Sequence, residues 1–121
     1  MSDEKGANMR CERLDVWKRS CRLSVEVYKL FSDSKDFGFK DQITRSSLSI
    51  ASNIAEGLEK ESSKEKIRYI EIAKGSGAEL ITQTYIGIEI GYIDKNTGMS
   101  WVKEIKELLR MLGSLKKNYA E

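Results

Sequence analysis

The chain has 121 residues, 33% of them charged, no proline, no histidine and a net charge of only +2. That length suits one domain with a single core, and the absent proline suits long uninterrupted helices. Absent histidine removes the commonest general base near neutral pH and the Glu-x-x-His pairs of bundle di-iron sites, and no apolar run reaches the roughly 18 residues that span a bilayer.

The start, Met1–Glu12, is polar and mixed in charge, with no apolar stretch to act as a signal sequence. Residues 1–12 are expected to be a disordered tail, residues 13–121 the domain, and the protein cytoplasmic. Cys11 and Cys21 are the only cysteines. A disulfide between them is possible in principle, but without an export signal reduced thiols are expected. Two thiols without histidine make neither a zinc site nor a Cys–His nucleophile.

The first predicted helix runs from about Leu14 to Phe31. Leu14, Trp17, Cys21 and Tyr28 form one apolar stripe, and Val16, Leu23, Val27 and Leu30 form a second. An arc that wide predicts contact with several neighbours, with Cys21 as a small core residue one turn after Trp17. Ser32–Asp36 breaks the pattern as a loop ending near Gly38. The second helix covers Asp41–Gly57, with Ile43, Ser47, Ile50 and Ile54 on one stripe. Ser46, Ser49, Ser52, Asn53 and Glu56 crowd around it, although serine and asparagine are poor helix formers. Close packing against other helices is the expected reason. Gly57 suits a left-handed C-terminal cap.

Ser62 with Glu65 makes a capping box that opens helix three, which runs through Ile67, Ile70, Leu80, Ile81 and Ile88 to Gly91. Gly75, Gly77 and Gly87 lie in its interior, each costing about 1 kcal/mol against alanine. Close approach of another backbone is expected there, or a local kink. Asp94–Gly98 reads as a turn and Ser100 as the cap of helix four. There Trp101, Ile105, Leu108, Leu112, Leu115 and Tyr119 follow the 4-3-4-3-4 spacing of a bundle seam. Short loops between long helices predict an all-α, antiparallel up-down-up-down four-helix bundle. Its expected core comprises Trp17, Tyr28, Ile50, Ile54 and Ile70 together with Leu80, Ile105, Leu108 and Leu112. Apolar surface beyond the needs of one subunit predicts a homo-oligomer.

The stretch Asp41-Gln42-Ile43, Arg45, Ser49-Ile50, Ser52-Asn53-Ile54-Ala55-Glu56-Gly57 resembles the hallmark of the four-helix-bundle family named for 23S ribosomal RNA intervening sequences. Leu14-Asp15-Val16-Trp17 resembles the family's opening. Ala73, Gly75-Ser76, Ala78-Glu79-Leu80, Thr82-Gln83 and Gly91-Tyr92-Ile93 resemble its third helix. Ala51 stands where the family usually has proline, Thr44 where a second arginine is frequent and Gly77 where leucine is common. The lost proline predicts a straighter second helix. The resemblance implies a small homo-oligomer, with ring-like pentamers among the members, and a link to RNA, because genes of the family lie inside ribosomal RNA genes. A related bundle, the accessory variability protein of diversity-generating retroelements, works with a reverse transcriptase and nucleic acid.

No phosphate loop, nucleophile elbow or metal-ligand spacing is present. No catalytic residue, cofactor, metal, membrane or small-molecule substrate is expected. Asn53, Glu56, Ser76, Glu79 and Gln83 read as a structural polar network fixing helix register and oligomer geometry. Lys103, Lys106, Arg110 and Lys117 fall at i, i+3, i+7 and i+14 on helix four, and Lys60, Lys64 and Arg68 make a ladder at the start of helix three. Such stripes gain affinity for phosphates by releasing counterions. Glu104 and Glu107 interleave with the first stripe, so a solvated face of i,i+4 pairs is the competing reading. Ring symmetry would multiply a modest patch. The expectation is a non-catalytic oligomeric accessory protein that binds structured RNA or a nucleoprotein complex by charge and shape. The alternative is an oligomeric protein–protein interaction scaffold.

Overall fold

The computed structural model describes residues 9–120. Among them are four α-helices and no strand: α1 Asp15–Leu30, α2 Phe37–Leu58, α3 Ser63–Glu89 and α4 Lys95–Lys117, preceded by a 3-10 turn at Arg10–Arg13. Helix α1 packs on α2 and α4, α2 on α3, and α3 on α4. The four enclose a common core that includes Ile50, Ile54, Ile70, Leu80, Ile105 and Leu112, all fully buried. Trp101 and Leu108 are buried on the same stripe of α4, and Leu115 and Tyr119 continue it half-buried. No helix among the described residues is long and apolar enough to cross a membrane.

Helix α1 buries the second of its two expected stripes, Val16, Leu23 and Val27 but not Leu30. Its buried side consists of Val16, Ser20, Leu23, Ser24 and Val27, while Tyr28 is 43% exposed and Trp17 only half-buried. Two serines account for the difference. The Ser20 hydroxyl donates to the Val16 carbonyl at 2.7 Å, and the Ser24 hydroxyl pairs with that of Ser47 on α2 at 3.0 Å. Satisfied in this way, small hydroxyls are buried at little cost and let the two helices approach. Cys21 is correspondingly half-buried rather than a core residue.

Residues 1–8 of the expected tail lie outside the described residues. The domain nevertheless begins before residue 13, because Cys11 is 2% exposed within the core and Arg10 donates to the Leu58 carbonyl at 3.1 Å. Both thiols are free, and burial pushes each above its ordinary pKa, which keeps them protonated.

Helix α2 starts four residues earlier than the sequence suggested, at Phe37 instead of Asp41. The Asp36 carboxylate caps it, accepting from the Phe39 amide at 3.1 Å and the Tyr92 hydroxyl at 2.7 Å. Phe39 then packs on Phe31 and edge-on to Tyr92. Gly57 is not a left-handed cap: the helix continues through it to Leu58, and among the described residues the one positive-φ glycine is Gly91, at 80°. Gly57 is there for proximity, since a Cβ on it would lie 2.6 Å from the Tyr69 Cβ. The free carbonyls at this helix end go to the buried Lys66, whose ammonium donates to Leu58 and Lys60.

Ser62 caps α3 by accepting from the Glu65 amide at 3.1 Å, while the Glu65 carboxylate turns to Arg68 instead of completing a capping box. Gly77 and Gly87 make room for side chains rather than for the expected second backbone, with a Cβ placed 2.9 Å from Leu109 and 2.5 Å from Ile93 respectively. Gly75 differs from both, because nothing lies within 4 Å of its Cβ position. The expected turn at Asp94–Gly98 is the first turn of α4. Asp94 caps it through the Thr97 amide at 3.2 Å, and Ser100 lies inside the helix, donating to the Thr97 carbonyl.

Helices α1 and α4 are joined by a two-pronged ion pair, Arg19 to Glu104 at 2.9 and 2.6 Å. The hydrogen bonds from Arg19 hold the Glu104 carboxyl below the usual glutamate range. A carboxylate with a lowered folded-state pKa stabilises the fold above its ordinary pKa and loses that effect as pH falls through the lowered value. Urea midpoints of wild type should therefore drop on acidification below about pH 4.3. Glu104→Gln is expected to be less stable at neutral pH and to show a smaller acid-induced drop.

Candidate nucleic-acid interface

The two basic ladders are partly dismantled in three dimensions. Lys60 precedes α3 rather than lying on it, and its ammonium sits 5.1 Å from the centre of the Tyr69 ring. Arg68 stacks at 5.5 Å from the same ring and lies 3.6 Å from Glu65. Cations over an aromatic face are held in a defined place but stay solvated. Lys64 is exposed. On α4, Lys103, Lys106, Arg110 and Lys117 are all exposed, and Arg110 pairs with Glu107 one turn before it.

A different basic grouping is formed where α3 meets α4. Lys74, Arg110, Lys116 and Lys117 line a groove together with Gly113 and Ser114. Lys116 reaches Glu71 at 2.7 Å and Lys74 reaches it at 3.8 Å. The Lys116 hydrogen bond is the main reason the Glu71 carboxyl lies below its ordinary range. Gly113 has no atom within 4 Å of its Cβ position, which leaves the wall of the groove open. Four cations line the groove against two neighbouring carboxylates, Glu71 paired with Lys74 and Lys116 and Glu107 paired with Arg110, which leaves it an excess of positive charge. Lys74 and Lys116 were missed from the sequence because they belong to separate helices and to neither stripe. The sole local signal was Glu71 three residues before Lys74.

The expected polar network divides. Asn53 donates to the Ser49 carbonyl and hydroxyl, both at 2.8 Å, and the Ser76 hydroxyl donates to the Ser49 hydroxyl at 2.8 Å, which ties α2 to α3. Ser49 is thus the hub that sequence reasoning placed only among the crowding serines. Glu56 and Glu79 are exposed, and neither makes a side-chain hydrogen bond or ion pair among the described residues. The Gln83 Oε1 is buried without a partner among the described residues. No group of three or more cysteine, aspartate or glutamate side chains among the described residues is placed to hold a metal ion.

A family model described as 23S rRNA-intervening sequence protein matches residues 12–114. A crystal structure of a protein of unknown function, from the S23 ribosomal protein family of Bacteroides thetaiotaomicron, is similar in fold and sequence. It superimposes with a TM-score of 0.78 at 27% identity, over 84% of this chain and 98% of that one. No protein of curated function matches.

Proposed function

The chain belongs to the 23S rRNA-intervening sequence protein family, and from that premise we propose a non-catalytic, homo-oligomeric accessory protein that binds structured RNA by charge and shape. The observation that carries this reading is the α3–α4 groove, where Lys74, Arg110, Lys116 and Lys117 outnumber the carboxylates beside them. Lysine and arginine arranged along a groove bind phosphates without reading bases. Among the described residues that line it none is aromatic, unlike the stacking surface of a single-strand binder, and this supports a folded RNA, free or within a nucleoprotein complex. Cytoplasmic location and a pentameric ring belong to the same reading.

The architecture we infer is an antiparallel up-down-up-down bundle. Gly57 lies against Tyr69 and Ser49 against Ser76, so rising numbers on α2 meet falling numbers on α3. Arg19 with Glu104 and Glu26 with Trp101 give α1 and α4 the same relation. In that arrangement the groove runs along the α3–α4 seam, and ring symmetry repeats it once per subunit.

Fluorescence anisotropy with a hairpin RNA across a salt series tests the reading. Log affinity should fall linearly with log salt. Lys74→Gln, Arg110→Gln and Lys117→Gln should each flatten the slope, by roughly 0.7–0.9 for every phosphate left without its cation. Absent binding at low salt, or a slope indifferent to all three substitutions, overturns it.

A further inference from the structure

Two apolar faces of the protomer have no cover. The first is a groove between α1 and α2, lined by Cys21, Val25, Tyr28, Leu48 and Ala51, with Lys29 at its edge. Val25 and Leu48 there are 50% and 47% exposed. The second is a row along α3 and its C-cap, where Ile72, Ile86 and Ile90 are 40%, 47% and 50% exposed, Ile86 and Ile90 one turn apart and Ile72 about 21 Å from them along the helix. These three fall at i, i+14 and i+18, one stripe of a helix, with Gly75 and Glu79 between them. Exposed apolar residues scattered singly are ordinary, whereas contiguous ones mark a surface that is covered in use.

The charges around the groove and around the Ile86–Ile90 end of the row are opposite, while at the other end Arg68, one turn before Ile72, is paired with Glu65. Lys18, Val25 and Lys29 share a stripe of α1, and neither lysine has an ion-pair partner among the described residues. Glu79 and Glu89 flank the α3 row and Glu56 projects from neighbouring α2, all exposed and equally without an ion pair there. A basic groove and an acidic row, built from different residues, are complementary to one another rather than self-matching. They fit as unlike halves of a head-to-tail interface.

We propose that the α3 row of one copy seats in the α1–α2 groove of the next, with Lys18 and Lys29 facing the carboxylates of Glu79 and Glu89. Gly75 has a reason in this arrangement. A helix-interior glycine costs about 1 kcal/mol, nothing in its own protomer approaches it, and one turn from Ile72 on the same stripe it lets the groove wall come close to the α3 backbone. The proposal rests on the homo-oligomeric reading above and gives it a pair of surfaces.

Two single substitutions test it, Leu48→Glu in the groove and Ile86→Glu in the row, each at an exposed site where the helix tolerates glutamate and folding is verified by circular dichroism. Native mass spectrometry should give wild type an assembly larger than a dimer and each variant alone a monomer. An equimolar mixture of the two should form a heterodimer and nothing larger, because one intact groove meets one intact row. An oligomeric wild type whose variants keep its mass, or whose mixed variants stay monomeric, overturns the paired faces alone. A wild type that is monomeric at high-micromolar concentration overturns the homo-oligomeric reading and this interface with it.

Discussion

Truncating Leu112 to alanine is expected to lower the free energy of unfolding by about 2–5 kcal/mol. Leu112 is 0% exposed and Leu108, one turn earlier on the same stripe, is 1% exposed. Both side chains project from α4 into the core enclosed by the other helices. The loss has two parts, the transfer free energy of the deleted carbons and the cavity that close-packed neighbours fill only partly. Leu108→Ala should behave alike. Leu115→Ala should cost less, because that residue is half-buried at the end of the seam. Urea unfolding checks this, with the midpoint shifted and the slope unchanged, at one fixed protomer concentration because assembly adds to apparent stability. A loss under roughly 0.5 kcal/mol, the range of surface substitutions, would show that the seam lies elsewhere.

That seam was legible because a strict 4-3 repeat of large apolar residues has one solution on a helix. Helix α1 offered two near-equal stripes, both expected to meet neighbours, with Trp17 and Tyr28 of the first named for the core. The deciding residues were Ser20 and Ser24, which any apolar count scores as surface. Their burial depends on partners, the Val16 carbonyl and the Ser47 hydroxyl, and a partner on another helix cannot be read from spacing. The helix starts failed for a related reason. Asp36 and Asp94 sit in turn-like stretches, and aspartate serves turns and N-caps equally well. For α4 the helix begins at once, and a Cβ on Gly98, inside that first turn, would lie within 2.4 Å of Ile88.

The candidate site was legible in kind and not in place. Arg110 and Lys117 stood out as part of a stripe, but a stripe follows one helix while the groove crosses two. Lys74 and Lys116 join it only through the packing of α3 on α4 and their shared carboxylate, Glu71. The hallmark carboxylates Glu56 and Glu79 show the converse. Read from the sequence as members of a structural polar network, both are exposed and take no part in it.

Gly57 and Gly75 look alike in sequence, yet alanine at the two positions should act with opposite sign. At Gly57 the new Cβ would lie 2.6 Å from the Tyr69 Cβ. That atom is fixed by its own backbone, so no rotamer change relieves the clash and α2 must move away from α3. Overpacking of this kind costs typically about 1–3 kcal/mol, which outweighs the gain of up to about 1 kcal/mol from replacing a helical glycine. At Gly75 nothing lies within 4 Å, so the helix-propensity gain of about 0.5–1 kcal/mol stands alone. Thermal melts of both alanine variants in a Leu48→Glu background separate these effects from assembly, with Gly57→Ala lowered and Gly75→Ala raised relative to that parent. In the otherwise wild-type chain Gly75→Ala should instead weaken assembly, because its methyl group stands on the α3 row, one turn from Ile72. A Gly75→Ala protein that melts higher and keeps full wild-type mass at every concentration would remove Gly75 from the interface, leaving its glycine without a structural reason.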